Sequence, residues 1–240
     1  MDIIIITGAS KGIGLELAAQ LKRQGKQVVG IARTNPEFDD DFIEMDLAET
    51  ELLPTRMFEI IEKYFDQAAS FTLINNAGIV DPIGIVGHIE AEMIERALAV
   101  NLTAPMIFAN SFISRLADFK GTKKIVNISS GAGRNPYEGW GVYCTTKAGL
   151  DHFSRVVDLE QQSAEYPVQI ASIAPGIIDT GMQETIRSSE ASNFPLLDRF
   201  ISYKEEGRLS SAEETARKLI AFLERDFKEA GGPILDLRHI

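Results

Sequence analysis

The stretch "IIIITGASKGIG" (3–14) decides the fold. It opens with a β-branched run, which is typical of a strand buried on both faces of a sheet. Gly8, Gly12 and Gly14 follow, and helical spacing then continues as far as Gly25. Glycines permit a tight turn and close approach to a ligand, and the N-terminus of the next helix attracts a phosphate. The stretch predicts a nucleotide-binding strand–loop–helix unit. The alternative is a glycine-rich turn required only for packing.

The rest of the chain alternates in the same way between strand-like and helix-like segments. Pro54 is tolerated in a first helical turn, whereas Pro105 is expected to divide or bend a long helix. The predicted strands are 3–7, 27–32, 42–47, 71–75, 123–129, 167–175 and 233–237, and the predicted helices are 12–24, 49–67, 88–118, 141–164 and 211–226. This alternation predicts an α/β protein with a single doubly wound Rossmann fold: a seven-stranded parallel sheet with helices on both faces.

The predicted organisation is a single dinucleotide-binding and catalytic domain over 1–240. Residues 179–208 are polar and poorly periodic. A segment of that length, lying after a sheet strand, could act as a lid that excludes water from a site.

Composition excludes several classes of protein. The chain has 240 residues, a net charge of -11 and no basic stripe, which argues against nucleic-acid binding. One cysteine rules out an internal disulfide and fits a reducing compartment. The apolar run after Met1 lacks the basic flank of a signal peptide, and no apolar run approaches the ~20 residues of a membrane span. We expect a cytoplasmic protein with no membrane partner.

The end of the second predicted strand bears on cofactor choice. An acidic residue there would bind the ribose 2′-hydroxyl of NAD. The chain instead has Arg33 after Ala32, and Lys11 lies inside the glycine loop. A guanidinium matches phosphate geometry, so the pair favours NADP(H) over NAD(H). The alternative is that both are solvated surface charges.

Six features, including the glycine loop, occur in a fixed order along the chain: "TGASKGIG" (7–14), "NNAG" (75–78), Asn101, "NISS" (127–130), "YCTTK" (143–147) and "PGIIDT" (175–180). In order and spacing they resemble the short-chain dehydrogenase/reductase family, and the resemblance covers essentially the whole chain. It implies an oxidoreductase acting on CH–OH or C=O groups with a nicotinamide cofactor.

Tyr143 and Lys147 are the central pair of this resemblance. Residues four apart on a helix share a face, so both side chains can project into one cleft. A lysine ammonium about 4 Å away would favour the phenolate by ~4 kcal/mol at an effective dielectric near 20. The pair therefore predicts a Tyr143 pKa lowered towards neutrality, as general acid–base catalysis requires.

The family's catalytic serine lies thirteen residues before the tyrosine, which indicates Ser130 rather than Ser129. Ser130 would hold the substrate carbonyl oxygen, and Ser129 would be a strand-end serine bonding to backbone. Asn101 matches the family's helix-kinking asparagine, whose backbone carbonyl holds a water that links Lys147 to solvent. The alternative for Asn101 is a helix cap ahead of Thr103.

The resemblance also assigns a set of cofactor-binding residues. Asp46 would meet the adenine amino group, or alternatively cap the helix predicted near 49. The full set is Gly8, Ser10, Lys11, Gly12, Ile13, Gly14, Arg33, Asp46, Asn75, Ala77, Gly78, Tyr143, Lys147, Pro175, Gly176, Ile178 and Thr180.

Longer stretches, which include variable loops as well as these motifs, narrow the class of substrate. Residues 127–151, 101–105 and 174–189 resemble the sepiapterin-reductase-like branch of the family, and within it the bacterial benzil reductases that form (S)-benzoin. This likeness implies NADPH-dependent reduction of one carbonyl of an aromatic 1,2-diketone. The alternatives are a pterin side-chain carbonyl reductase, another short-chain alcohol dehydrogenase, or an NADP-binding sensor without turnover.

The local residues are compatible with an aromatic substrate. Beside Ser130 and Tyr143, Tyr137 and Trp140, together with Pro136, offer flat apolar surface, and Met182 could fill the opposite side. For Trp140 the alternative is packing or a subunit interface.

Other residues have no predicted role in the chemistry. Cys144 is interpreted as an inert small hydrophobe, and His88, His152 and His239 show no metal-like or triad spacing. Members of the family that the chain resembles commonly pair through the helices that carry the asparagine and the tyrosine, here 88–118 and 141–164, which implies a homodimer or homotetramer, with a monomer as the alternative.

Overall fold

A computed structural model describes residues 1–35 and 41–240 of the chain. Seven strands form one parallel sheet in the order β3-β2-β1-β4-β5-β6-β7. They are β1 (Asp2–Thr7), β2 (Gln27–Ala32), β3 (Phe42–Glu44), β4 (Ser70–Asn75), β5 (Thr122–Ile128), β6 (Gln169–Ala174) and β7 (Ile234–Asp236). The order reverses direction between β1 and β4, and this is the point where doubly wound sheets bind ligands. The predicted sheet is confirmed.

Helices cover both faces of the sheet, as predicted. They are α1 (Gly12–Arg23), α2 (Leu53–Tyr64), α3 (Ala91–Leu98), α4 (Ala104–Arg115), α5 (Gly141–Gln161), α6 (Gly181–Arg187), α7 (Leu197–Glu205) and α8 (Ala212–Leu223). Alternate residues of β1 serve the two faces: Ile3 and Ile5 pack in the core that includes α2 and α4, whereas Ile4 and Ile6 pack in the core that includes α1 and α8.

The long helical region predicted at 88–118 is continuous but changes its winding. A π-helical turn, Ala99–Thr103, joins α3 to α4. Pro105 follows this π turn as the second residue of α4, and the helical geometry continues through it, so the proline does not divide the region. The insertion of one π turn places Asn101 inside the protein, and π turns of this kind occur frequently at functional sites.

The helical region Ala91–Arg115 has 25 residues and a mean hydropathy of 1.4 over its most apolar window, enough by length and composition to cross a bilayer. Half of that window is buried inside the protein. Phe108 and Phe112 are fully buried there against the sheet. The hydropathy therefore reflects a core helix.

The segment 179–208 is more regular than its sequence predicts, since it contains α6 and α7. Phe194, Phe200 and Tyr203 are buried and pack with Trp140 in a third apolar cluster. The helices of this segment are stabilised by contacts with a distant part of the chain. They do not need a periodic apolar stripe, so the sequence shows no helical spacing there.

Candidate active site

One cavity of about 710 Å³ opens at the carboxyl ends of the strands. Its walls come from the turns after β1, β2, β4, β5 and β6 together with α5, α6 and α7. The predicted site residues that line it are Gly8, Ser10, Lys11, Gly12, Ile13, Arg33, Asp46, Ala77, Gly78, Ser130, Tyr137, Trp140, Tyr143, Lys147, Pro175, Gly176, Ile178, Thr180 and Met182. Segments far apart in the sequence thus meet in one space.

The glycine loop has the shape that a pyrophosphate requires. Gly8 has φ +69°, and a Cβ at this position would lie 2.8 Å from the Cα of Ala77, so only glycine fits. No side chain caps α1 at Lys11, and no acidic residue lies in its first turn. The first N–H groups of α1 therefore keep their capacity to bind an anion. The loop and the cavity beside it fit a dinucleotide cofactor.

Two predicted cofactor residues lie behind the cavity wall instead of in it. A Cβ at Gly14 would approach the carbonyl oxygen of Gly8 to 2.3 Å, so this glycine serves packing. Asn75 is only 2% exposed, and its amide donates to Asn127 Oδ1 at 2.8 Å. The neighbouring Asn76 lines the cavity instead. The prediction for Asn75 is wrong because the side chain at the end of β4 points into the sheet core.

Asp46 lies at the adenosine end of the cavity with two partners. Its carboxylate accepts from the Ala48 N–H at 3.0 Å and pairs with Arg96 at 2.7 Å. Burial opposes the charge, but these partners and the nearby Arg33 hold the pKa of Asp46 below its ordinary value. The predicted helix cap is not formed, because the 3₁₀ turn that follows begins at Thr50, with Glu49 before it. No local pattern marks Arg96, which reaches Asp46 from α3.

Tyr143 and Lys147 project from α5 into the cavity, yet their charges are not coupled as predicted. Lys147 Nζ donates to the Ile128 carbonyl at 2.8 Å and lies 5.8 Å from the centre of the Tyr143 ring. Burial raises the pKa of Tyr143 to about 12, against the effect of a hydrogen bond with Ser130. Burial lowers the pKa of Lys147 to about 8, opposed by the carboxylate of Asp151. Burial is the main cause of the Tyr143 shift, so its hydroxyl is protonated and can act as a donor at neutral pH.

Ser130 and Ser129 both line the cavity but differ in their partners. Ser130 accepts from the Ala132 N–H at 3.1 Å, which fixes its hydroxyl beside Tyr143. The Ser129 hydroxyl is buried without a hydrogen-bond partner among the described residues, although its backbone N–H donates to Ile173 at 2.8 Å. The prediction that the Ser129 hydroxyl bonds to backbone is wrong.

Asn101 supports the cavity from behind. Its side-chain amide donates to the Ile79 carbonyl at 2.7 Å and accepts from the Ile79 N–H at 2.8 Å. It also lies 3.3 Å from Thr146 Oγ1 on α5. The amide therefore ties the π turn to the loop after β4 and to α5. It does not cap a helix, since the residue before α4, Thr103, makes no side-chain cap and continues helical geometry.

Trp140 belongs to the cavity wall and to the interior at once. It is 5% exposed, stacks on Phe194 at 4.9 Å, and meets Tyr143 edge-on at 5.4 Å. Burial within its own chain leaves no free indole face for a subunit interface. Tyr137 packs beside Trp140 at 5.5 Å, whereas Pro136 is exposed and lies outside the cavity lining.

Several cavity residues escaped the sequence analysis. Phe200, Tyr203 and Arg199 reach the cavity from α7, and Gln183 from α6. Arg199 Nε donates to the Tyr203 hydroxyl. Gln183 directly follows the predicted site residues Thr180 and Met182, and this position in the sequence was a signal for it. No sequence pattern near α7 predicts that its residues reach the cavity.

Residues outside the predicted chemistry behave as ordinary side chains. Burial raises the pKa of the Cys144 thiol, which keeps it protonated and unreactive. His88, His152 and His239 are exposed.

Comparison with known proteins identifies the family. Residues 2–191 match the sequence profile of the family described as short chain dehydrogenase. The chain belongs to the short chain dehydrogenase family. It is therefore an oxidoreductase acting on carbonyl or hydroxyl groups, and its cofactor is a nicotinamide dinucleotide, NAD(P)(H).

Relatives of this short chain dehydrogenase agree with the branch predicted from its loops. It is 40% identical over 237 residues to a benzil reductase ((S)-benzoin forming) of Bacillus cereus, covering 94% of this chain and 95% of that protein. It is 29% identical over 254 residues to the sepiapterin reductase of Meriones unguiculatus, covering 97% and 95% of the two chains. A solved short chain dehydrogenase/reductase from Saccharomyces cerevisiae superposes with a TM-score of 0.84 at 24% identity, over 99% and 96% of the chains.

Proposed function

We propose that this short chain dehydrogenase is an NADPH-dependent carbonyl reductase that reduces one carbonyl of an aromatic 1,2-diketone, as in benzil to (S)-benzoin. The observation that carries the proposal is a protonated Tyr143 hydrogen-bonded to Ser130 and placed edge-on to a buried Trp140. A proton donor and an aromatic wall thus share one cavity. The 40% identical Bacillus cereus relative, named for benzil reduction, supports the same substrate class.

The residues suit reduction by general acid catalysis. The reduced nicotinamide, when bound, would supply a hydride to the carbonyl carbon. Ser130 holds the carbonyl oxygen, and Tyr143 Oη gives it a proton as negative charge develops there. Lys147, which projects from the same helix into the cavity, would bind the ribose of the cofactor. Asn101 holds the loop and helix that position them.

Three basic residues support NADPH over NADH. Lys11, Arg33 and Arg96 line the adenosine end, where Asp46 is the one carboxylate among the described lining residues. Asp46 already pairs with Arg96, so Arg33 remains available to a 2′-phosphate. Gly8, Ser10, Gly12, Ile13, Ala77 and Gly78 would hold the rest of the dinucleotide, with Pro175, Gly176, Ile178 and Thr180 around the nicotinamide. A cytoplasmic location and a homo-oligomeric state complete the proposal.

The test is NADPH oxidation with benzil as substrate, followed by chiral analysis of the product. We expect benzoin enriched in one enantiomer, and a kcat at least ~100-fold lower for Tyr143→Phe, since that variant keeps the ring but loses the proton donor. Near-normal turnover by Tyr143→Phe would show that the proton comes from elsewhere.

The 29% identical sepiapterin reductase supports a second candidate substrate, a pterin carrying a side-chain carbonyl. Sepiapterin is therefore assayed beside benzil. A kcat/KM for sepiapterin far above that for benzil would replace the diketone by a pterin and leave the reaction type in place.

A further inference from the structure

A row of aromatic side chains leads away from Tyr143 along the cavity wall. The Trp140 ring meets Tyr143 edge-on at 5.4 Å, and Phe200 meets Trp140 at 5.1 Å. Tyr203 continues the row, with its ring centre 5.6 Å from that of Phe200. All four side chains line the cavity. A flat surface of this length suits an aromatic group on a substrate whose carbonyl lies at Tyr143.

Arg199 follows Tyr203 at the far end of this row. Its Nε donates to the Tyr203 hydroxyl, and its guanidinium carbon lies 5.5 Å from the centre of the Tyr203 ring. The residue is exposed and lines the cavity. Its two terminal nitrogens make no hydrogen bond or ion pair with the residues that the structure describes. A guanidinium that is oriented through Nε and open at both terminal nitrogens can bind a carboxylate through two parallel bonds.

The other charges of the cavity do not neutralise Arg199. Asp46 is the one carboxylate among the described lining residues, and it pairs with Arg96 at the adenosine end. Arg238 also lines the cavity, but Asp236 accepts two bonds from its guanidinium, at 2.9 and 2.6 Å. Arg199 is therefore a positive group at the end of the aromatic row with no carboxylate partner among the described residues.

We propose that Arg199 is a specificity-determining residue that binds a carboxylate on the substrate, at the outer end of an aromatic group that extends from the reacting carbonyl. The inference rests on the proposed function and deepens it. Ser130 and Tyr143 recognise the carbonyl, the aromatic row recognises the aryl group, and Arg199 selects by charge. The preferred substrate class is thus an aryl carbonyl compound with a distal acidic group. A local cation matters here because the chain as a whole, with a net charge of -11, repels anions.

Arg208 provides a matched control for Arg199. Its guanidinium carbon lies 5.8 Å from the centre of the same Tyr203 ring. It is also exposed, but it does not line the cavity and it pairs with Glu206 at 2.5 Å. Replacing either arginine by glutamine removes one positive charge from the surroundings of Tyr203. Only the Arg199 substitution removes a group that lines the cavity.

The experiment compares an acid with its methyl ester. 4-Carboxybenzil carries a carboxylate on one phenyl ring, and the ester keeps the diketone and both rings but loses the charge. We measure kcat and KM for both at saturating NADPH, in the wild type, Arg199→Gln and Arg208→Gln. In Arg199→Gln we expect kcat/KM to fall roughly 5- to 10-fold for the acid, as for one charge-assisted bond at an exposed position, and to change less than about twofold for the ester. The loss should lie mainly in KM, because the carboxylate is bound equally in the ground state and the transition state.

Three controls separate charge recognition from structure. Arg208→Gln should leave the ratio of kcat/KM for acid and ester unchanged. Arg199→Lys keeps the charge without the planar fork and should retain part of the preference for the acid. Added salt should lower the ratio in the wild type but not in Arg199→Gln, since salt screens an exposed ion pair.

Each outcome decides the proposal. Equal losses on acid and ester, the same loss in Arg208→Gln, or a weakened NADPH affinity in Arg199→Gln would assign Arg199 to the scaffold, the general field or the cofactor and overturn it. If the wild type reduces the ester but the ratio does not move in Arg199→Gln, only the role of Arg199 fails. If the wild type reduces neither compound nor benzil, the proposed function fails and takes this inference with it.

Discussion

Lys147 shows how far burial changes the chemistry of a single residue. It is 4% exposed, and burial lowers its pKa from 10.5 to about 8. The buried carboxylate of Asp151, one turn further along α5, moderates this effect. Asp151 is itself held by Ser172 at 2.7 Å and Arg134 at 3.1 Å, so its support for Lys147 depends on β6 and the turn after β5. Lys147 is thus retained for function although burying its charge lowers the stability of the folded protein.

The pH dependence of stability follows from the sign of this shift. Below pH 8 Lys147 is protonated in both states, and the folded state bears the cost of burying the charge. Above pH 10.5 the amine is neutral in both states, and the cost is gone. We therefore expect Lys147→Met to be more stable than the wild type at pH 7, by at most about 3 kcal/mol, with the difference shrinking from pH 8 upwards.

Urea unfolding of both proteins between pH 7 and 10 measures this difference. Tyr143→Phe serves as the control, because a Tyr143 pKa raised to about 12 adds no pH dependence below the ordinary tyrosine pKa near 10. Parallel curves for Lys147→Met and the wild type would show that the lysine pKa is not lowered.

The turn after β5 is the element on which the position of Ser130 depends. Ser130 precedes a 3₁₀ turn, Gly131–Gly133, that packs directly on α5. A Cβ at Gly133 would lie 2.8 Å from the carbonyl carbon of Lys147 and 3.1 Å from the Ala148 nitrogen. These are backbone atoms of a helix, and moving them would distort the helix. The turn can therefore pack this close to α5 only because Gly133 has no side chain.

Gly133→Ala should therefore push the turn away from α5 and carry Ser130 with it. We expect a loss of about 1–3 kcal/mol in the free energy of unfolding, as for overpacking, and a kcat reduced on the order of 10-fold or more. Gly131→Ala is the matched control for stability, since a Cβ there meets nothing within 4 Å. Equal stabilities of the two variants would contradict the packing argument.

At the scale of the whole molecule, charge is distributed unevenly. The chain carries a net charge of -11, yet the adenosine end of the cavity gathers Lys11, Arg33 and Arg96. A local positive field within an acidic protein favours a ligand with an additional phosphate and is weakened by salt. The positive charge at the adenosine end therefore supports the proposed preference for NADPH.

Cofactor-induced thermal stabilisation tests that preference. At about 100 times its Kd, a ligand adds about 2.7 kcal/mol, or roughly 5–10 °C for a chain of this size. We expect NADPH to raise the melting temperature more than NADH at equal concentration, and Arg33→Asp to abolish the NADPH advantage while sparing NADH. Arg217→Asp, an exposed residue of α8, makes the same charge change elsewhere. Equal loss of both shifts in Arg33→Asp would argue against a 2′-phosphate contact.

The sequence predicted the sheet and most of the cavity because both depend on local patterns. Strand runs, the glycine loop and the i, i+4 spacing of Tyr143 and Lys147 each lie within a few residues. The prediction failed at Asn75, because a shift of one residue along the chain moves a side chain from the core to the cavity. Asn75 faces the core, and Asn76 lines the cavity. The prediction also failed for α6 and α7, whose aromatic residues find their partners only across the cavity.

By itself, then, the sequence determined the fold, the family and the register of Ser130, Tyr143 and Lys147. Only the tertiary structure decided that Trp140 lines the cavity, that Arg96 pairs with Asp46, and that the amide oxygen of Gln183 has no hydrogen-bond partner among the described residues. It alone decided that Tyr143 is held protonated. The physical reason is the same in each case: burial and pairing are properties of residues brought together from separate elements, and desolvation of a site has no signature in any one stretch of the chain.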